Sequence, residues 1–415
     1  MGKDKIDEVE LQKNRMQKML AIGQVFRPSA PVNTYTLFAG RRKQLQNIIS
    51  VLSQAGQHAI IYGERGVGKT SLTNILSEIF RDETNQSWPY VRINCDGQDT
   101  FKSIWQKIFR ELQIITQKTG VGFVPSTQQK LISLNDFLSD SPQPDEIRYW
   151  LQQFGGLSII VIDEIDRIID KQTATLLADT IKTLSDHALE TKIILVGVAD
   201  SVDDLISEHK SVERALVQIL MPRMSVSELT EIIDKGLSVL EMTIEEQAKQ
   251  QIATLSQGLP HYTHLLGLYS AQSACQKDSL KIDLDDVQVA IRQAVETIQQ
   301  SILSDYHKAV SSSRKTIYAQ ALLACALANK NDLGYFSATD VRAPLAKITG
   351  KPYDINAFSQ HLNAFCDTPR GPTLQKSGFV RRFKFRFINP LLQPYVILHG
   401  LAKGLIDEKT LAEVQ

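Results

Sequence analysis

The sequence has no excess of charge of either sign: 46 Lys and Arg offset 46 Asp and Glu over 415 residues. A protein that coats nucleic acid by bulk charge is thereby excluded, while a local basic element is not. Cysteine is scarce. Cys95, Cys275, Cys325 and Cys366 are far apart and form no CxxC pair, so neither a metal knuckle nor a disulfide frame is expected, only buried thiols in a reducing compartment. No apolar run reaches the roughly 18–20 residues that a membrane-crossing helix needs. The N-terminal Met1-Gly2-Lys3-Asp4-Lys5-Ile6 lacks the apolar stretch of a signal peptide, and Ile6 stands where a myristoylation motif needs Ser or Thr. The expected address is the cytoplasm, with no membrane partner. Internal repeats are missing too, as is the aromatic-Gly pore motif of protein remodellers. What remains is 43% hydrophobic and 22% charged, an ordinary globular composition with length enough for two or three domains.

Short apolar runs alternate with helical stretches from about residue 34 to 224, which predicts an α/β domain on a parallel sheet. The strand candidates are 58–62, 90–94, 157–162 and 192–198, rich in Ile and Val as strands buried on both faces should be. Residues 1–33 read as a polar helical arm with a connector. Residues 225–303 carry helical periodicity only and form a helical lid. From 304 to 415 the chain has further helices and then alternating strands. Gly, Ser, Pro and Gln clusters in 116–144 predict a long, partly mobile insertion.

Gly63-Glu64-Arg65-Gly66-Val67-Gly68-Lys69-Thr70 fits GxxxxGK[ST], with strand 59–62 before it and a helix from Ser71 after it. Main-chain amides must close around phosphates without a Cβ in the way, and the helix N-terminus adds a favourable dipole. ATP is the expected ligand. Lys69 should reach its β- and γ-phosphates, and the Thr70 hydroxyl should ligate Mg2+. Downstream, Leu157–Ile162 runs into Asp163-Glu164-Ile165-Asp166. Carboxylates at the C-terminal edge of a strand sit where a metal and an attacking water are needed. Asp163 is the expected Mg2+ partner and Glu164 the residue that polarises the water. Asp166 fits a solvated helix-start acid.

With Lys192–Val198 leading to Ala199-Asp200-Ser201, with Leu37-Phe38-Ala39-Gly40-Arg41 and with Ile93-Asn94-Cys95 ahead of Thr100, the chain resembles AAA+ ATPases over residues 34–300, and within them the origin-recognition and initiator-like branch. The resemblance implies a P-loop AAA+ sheet, a helical lid and a C-terminal winged-helix domain. It implies a catalytic sensor at Asp200, where the family has Asn; a carboxylate there repels the γ-phosphate unless protonated or bridged by a cation. It implies an arginine finger in trans from Arg214, with Arg223 as competitor, and hence a homo-oligomer. The turn Gly258-Leu259-Pro260-His261 resembles that of the signalling (STAND) ATPases, where the Pro packs on the adenine; Pro260 and His261 become cofactor-binding candidates, although a lone His on a helix is more often structural. Departures at both sensors imply slow or conditional turnover.

In the C-terminal region, helices near 312–329, 337–348 and 354–366 followed by strands near 373–376 and 379–387 give the order of a winged helix. Asn356, Ser359, Gln360 and Asn363 share one helical face, with Ala357, Phe358, Leu362 and Phe365 turned inward. In Arg382-Phe383-Lys384-Phe385-Arg386-Phe387 the period of two sends aromatics one way and cations the other. With Arg381 and Lys376 this makes an acid-free basic strip that could track phosphates, while an edge strand guarded against aggregation has the same composition. Asn356, Gln360, Arg381, Arg382, Lys384 and Arg386 are the DNA-binding candidates, and double-stranded DNA the expected partner. The leading expectation is an ATP-dependent, oligomerising, DNA-associated ATPase of initiator, loader or transposition-regulator type. The alternative is a signalling or defence switch whose C-terminal module recruits a protein effector.

Overall fold

The computed structural model describes residues 2–80, 88–119, 127–198, 212–312, 316–379 and 382–414. The chain divides into two compact units, one made of residues 41–63 and 69–221, the other of residues 1–40, 64–68 and 222–415. The division breaks the chain at 221/222, three residues ahead of the expected 224/225, and groups residues 34–40 and the loop 64–68 with the C-terminal half.

The first unit is built on a parallel sheet of β1 (His58–Tyr62), β2 (Tyr90–Asn94), β5 (Ile159–Asp163), β6 (Lys192–Gly197) and β7 (Leu216–Leu220), in the order β2-β5-β6-β1-β7. The three central strands are buried along almost their whole length, which is why they read as near-continuous Ile/Val runs with no alternation. Edge strand β7 is less buried, exposing Gln218 between buried Leu216 and Ile219, and it escaped the sequence expectation. Helix Phe101–Glu111 lays Phe101, Ile104, Trp105, Ile108 and Phe109 on the sheet and is started by a capping box of Thr100 and Ser103. The insertion expected over 116–144 contains an antiparallel hairpin, β3 (Gln113–Thr119) with β4 (Thr127–Ser133), and helix Pro144–Phe154 begins with Pro144 in its first turn.

The second unit starts with helix Gly2–Val25 and continues into the lid helices Val226–Val239, Glu246–Leu255, Pro260–Gln276 and Leu284–Glu296, tied by a short parallel bridge of β8 (Thr243–Ile244) and β9 (Lys281–Ile282). Phe26, 1% exposed, lies where a Cβ at Gly236 or Gly267 would come within 2.7 and 2.8 Å of its ring, so the connector is seated in a slot that only glycines leave open. Beyond the lid come helices Gln300–Val310, Tyr318–Leu327, Ala338–Thr349 and Ile355–Ala364, then β11 (Leu374–Ser377) and β12 (Lys384–Phe387) with β10 (Phe336–Ser337) on the other edge of β12. The last three of these helices and the three-stranded antiparallel sheet make this a winged helix. The wing strand starts at Lys384, not near 379, and Phe379 is 84% exposed. Helix Leu392–Ala402 is buried through Gln393, Tyr395, Ile397 and Leu398 and closes the domain.

Candidate nucleotide site and wing face

β1, β5 and β6 run parallel and present their C-terminal ends on one edge of the sheet. β1 ends at Tyr62 and delivers Gly63; a Cβ there would collide with the Met221 carbonyl. The chain returns to this unit at Lys69, the first residue of helix Lys69–Ile79. Lys69 Nζ donates to the Gly63 carbonyl at 2.9 Å, folding the side chain back over the loop it follows. Thr70 Oγ1 donates to Asp163 Oδ2 at 3.1 Å. Thus the two expected metal ligands, 93 residues apart, are in contact at the end of β5. Asp163 is 3% exposed; its other oxygen accepts the Glu164 backbone N–H at 2.8 Å.

Arg92 was not foreseen. From β2, next to β5, its Nη2 meets Asp163 Oδ2 at 2.8 Å while Nη1 donates to Asn74 Oδ1 at 2.9 Å. The one sequence signal was a single guanidinium within an apolar strand. Glu164 has left-handed backbone, φ 59°, and its Oε2 pairs with Arg167 Nη1 at 3.1 Å. Asp200 falls outside the described residues. Arg214 is exposed, two residues ahead of β7. It therefore lies at the N-terminal edge of the sheet, a strand length of roughly 15 Å from the edge that carries Gly63 and Asp163.

In the other unit, loop residues 64–68 carry the remaining expected phosphate contacts. Gly66 and Gly68 have φ of 84° and 93°, a region open mainly to glycine, and it is this turn that lets successive amides converge. Arg65 is exposed, whereas Glu64 and Val67 are buried. Ser71 belongs to the first turn of the helix that follows. Pro260 begins its helix with its ring 3.9 Å from where a Cβ of Gly68 would be. His261 is committed elsewhere: its Nδ1–H donates to the Pro28 carbonyl at 2.7 Å, and burial pushes its pKa down. Arg223 is engaged within the chain by Glu64, Nε to Oε2 at 2.5 Å.

The family described as Novel STAND NTPase 1 matches residues 32–328, which takes in the phosphate loop, the acids of β5 and the lid. The chain belongs to this family. It is also similar to ORC1-type DNA replication proteins: 22% identity to that of Methanocorpusculum labreanum, covering 70% of this chain and 69% of the relative, and 22% to one from Thermoplasma acidophilum, covering 76% and 72%. Among solved structures, a Walker-type ATPase of Pyrococcus abyssi superposes with a TM-score of 0.53 at 18% identity, over 90% of this chain and 99% of that one. The sheet order and this likeness give this member of the STAND family a P-loop AAA+ fold. Among the described residues no helix is long and apolar enough to cross a membrane.

On the winged helix of this STAND-family chain, Asn356, Gln360 and Asn363 are exposed on helix Ile355–Ala364, and Phe358, Leu362 and Phe365 are buried. Ala357, expected inside, is exposed; the buried position is taken by His361, one turn on from Phe358. Lys384 and Arg382 are exposed and Phe385 and Phe387 buried, with Phe383 half-buried under the Lys376 ammonium at 3.8 Å. Arg386 is less available: it bonds Gln375 Oε1 at 2.8 Å and stacks on Tyr335 at 4.8 Å. Arg381 lies outside the described residues.

Proposed function

We propose that this chain is an ATP hydrolase that assembles with copies of itself and engages double-stranded DNA through the winged helix. The observation that carries the nucleotide half is the 3.1 Å contact of Thr70 with Asp163 beside Lys69, at the end of a glycine loop. A hydroxyl and a carboxylate are the hard oxygen donors that magnesium takes with a triphosphate, so the residues fit Mg2+. When bound, the ion neutralises charge on the phosphate oxygens.

In this reading the amides of 64–69 cradle the phosphates and Lys69 leaves the Gly63 carbonyl to hold the β- and γ-oxygens. Pro260 packs against the base. Glu164 orients the attacking water, which requires its Oε2 to part from Arg167. Arg214, a strand length from Gly63 and Asp163 of its own sheet, serves the site of a neighbouring copy and stabilises charge there. Asp200, to which the sequence resemblance gives the sensor role, and His261, held by Pro28, make turnover slow or conditional. A steady-state rate typical of fast AAA+ motors would contradict that last point.

The DNA half is supported by the exposed Asn356, Gln360, Arg382 and Lys384, and by relatives named as DNA replication proteins. Fluorescence anisotropy with a labelled duplex, measured across salt concentrations with and without Mg·ATP, tests it. The account expects salt-dependent binding. ATP-driven assembly with no DNA affinity at low salt would sink the DNA half and favour a protein-recruiting switch in the cytoplasm.

A further inference from the structure

We propose that a cavity between helix Gln300–Val310 and the turn Thr368–Arg370 binds a phosphate-bearing ligand, with Arg370 and Lys308 as its principal charges. None of the lining residues belongs to the phosphate loop or to the basic strip of the wing. The shared chemistry is a phosphate group, carried either by a free small molecule or by a nucleic-acid backbone.

The cavity has a volume of about 550 Å³ and is lined by Ser304, His307, Lys308, Ser311, Pro369 and Arg370. That lies within the range of roughly 300–1,000 Å³ that small-molecule sites occupy. Four of the six are spaced i, i+3, i+4 and i+7 along the helix and its C-cap, so Ser304, His307, Lys308 and Ser311 share one face. The opposite face buries Ile302, Tyr306 and Ala309. No carboxylate lines the cavity, and Asp305 is turned well away around the helix. Cations and hydroxyls are thus gathered on one wall without an acid to neutralise them.

The C-terminal end of a helix ordinarily repels anions, because its last carbonyls lack partners. Arg370 removes that obstacle here. Its Nη1 donates to the Ala309 carbonyl at 2.7 Å and to the Ser311 carbonyl at 3.0 Å. The guanidinium carbon stands 3.4 Å from the centre of the Tyr318 ring, which fixes the group before any ligand arrives. Nε and Nη2 have no acceptor among the described residues, and a planar fork with two donors to spare matches the oxygens of a phosphate. Capping the helix end accounts for one cation. Two more, His307 and Lys308, line the same cavity, are exposed, and make no hydrogen bond or ion pair among the described residues. With Arg370 already on the carbonyls, these two charges are left to face what enters the cavity.

Calorimetric titration with inorganic pyrophosphate tests the site, using full-length Lys69→Ala protein in a chelator so that the phosphate loop contributes little. Uptake is expected, weakened about tenfold or more by His307→Ala/Lys308→Ala and by Arg370→Gln, since each removes charge-assisted bonds to phosphate. Arg370→Lys keeps the charge but loses the fork, and should fall between parent and Arg370→Gln. A labelled duplex then separates the two sources, in the Arg382→Glu/Lys384→Glu background where the wing strip is silenced. If His307→Ala/Lys308→Ala also lowers the residual duplex binding and its salt slope, the natural phosphate belongs to a backbone. If it weakens pyrophosphate alone, the natural ligand is a free phosphate compound. Should Arg370→Gln fail to fold, the exposed pair His307 and Lys308, which holds nothing else in place, carries the same test. Pyrophosphate uptake that is absent, or equally tight in the parent and in His307→Ala/Lys308→Ala, would overturn the proposal.

Discussion

Replacing Arg92 by Ala should expose what Asp163 is for. Asp163 is buried and has three partners: Arg92 at 2.8 Å, Thr70 at 3.1 Å and the Glu164 amide at 2.8 Å. Arg92 is the one cation among them. Removing one partner of a buried ion pair costs about 3–5 kcal/mol, because the other charge is left uncompensated. The Arg92 side chain is 23% exposed, so water can enter its place, and about 2–3 kcal/mol is the reasonable figure. For a unit of this size that is a fall of about 5–10 °C in unfolding midpoint. If a magnesium ion takes its place at the same oxygen, it restores the missing charge. Differential scanning fluorimetry should therefore show the gap between wild type and Arg92→Ala shrinking by at least half with saturating Mg·ADP. It should stay open with ADP and a chelator. A gap that is equally wide in both conditions would refute the placement of the metal at Asp163, and no gap at all would refute the electrostatic argument.

A pH effect follows from His58, fully buried with Nδ1 accepting the Ile193 N–H at 3.0 Å. Burial first, and the Lys192 charge second, push its pKa down from 6.5 to about 3; charging it would also set two donors face to face. The unfolded chain binds the extra proton first, so this contribution is complete above 6.5 and is lost as pH falls toward 3. By pH 5.5 the loss is about 1.4 kcal/mol, and urea unfolding of His58→Asn should lack it; an unchanged slope would refute the assignment. In the wing, Arg382→Glu/Lys384→Glu should abolish most duplex binding and flatten the log–log salt slope by about 2, at roughly 0.9 per phosphate; an unaltered slope would mean DNA lies elsewhere. Arg214→Ala should leave ATP binding within about twofold while lowering turnover by a factor on the order of a thousand, as loss of an arginine finger does. Mixing it with an ATPase-dead Glu164→Gln partner should restore part of the rate if the finger acts in trans.

Much of the nucleotide site was legible because its chemistry is local in sequence. Gly63–Thr70 carries its strand and helix with it, and Ile159–Asp163 is an apolar run that ends in acid. The sheet's central strands were legible for the same reason. β7 was not, because an edge strand needs only Leu216 and Ile219 inside and tolerates Gln218 between them. Nor was the hairpin of β3 and β4, whose Gln and Thr content reads as loop until pairing satisfies the backbone. Arg92 and Arg223 stayed hidden for a different cause. Their partners Asp163 and Glu64 lie 71 and 159 residues away, and only strand order and the packing of the wing bring the charges together. In helix Ile355–Ala364 the helical period was right in the main, yet Ala357 is exposed and His361, which the sequence reading left unplaced, is buried, since the small Ala can face water at little cost while Phe358 and Leu362 draw the imidazole in.

The most direct test is calorimetric titration of full-length protein with ATP, with Mg2+ and with a chelator, beside Lys69→Ala and Asp163→Asn. One site per chain is expected in wild type with Mg2+, weakened at least tenfold in Lys69→Ala, with Asp163→Asn insensitive to the chelator. Wild-type protein that takes up no ATP in the presence of magnesium would contradict the account at its base.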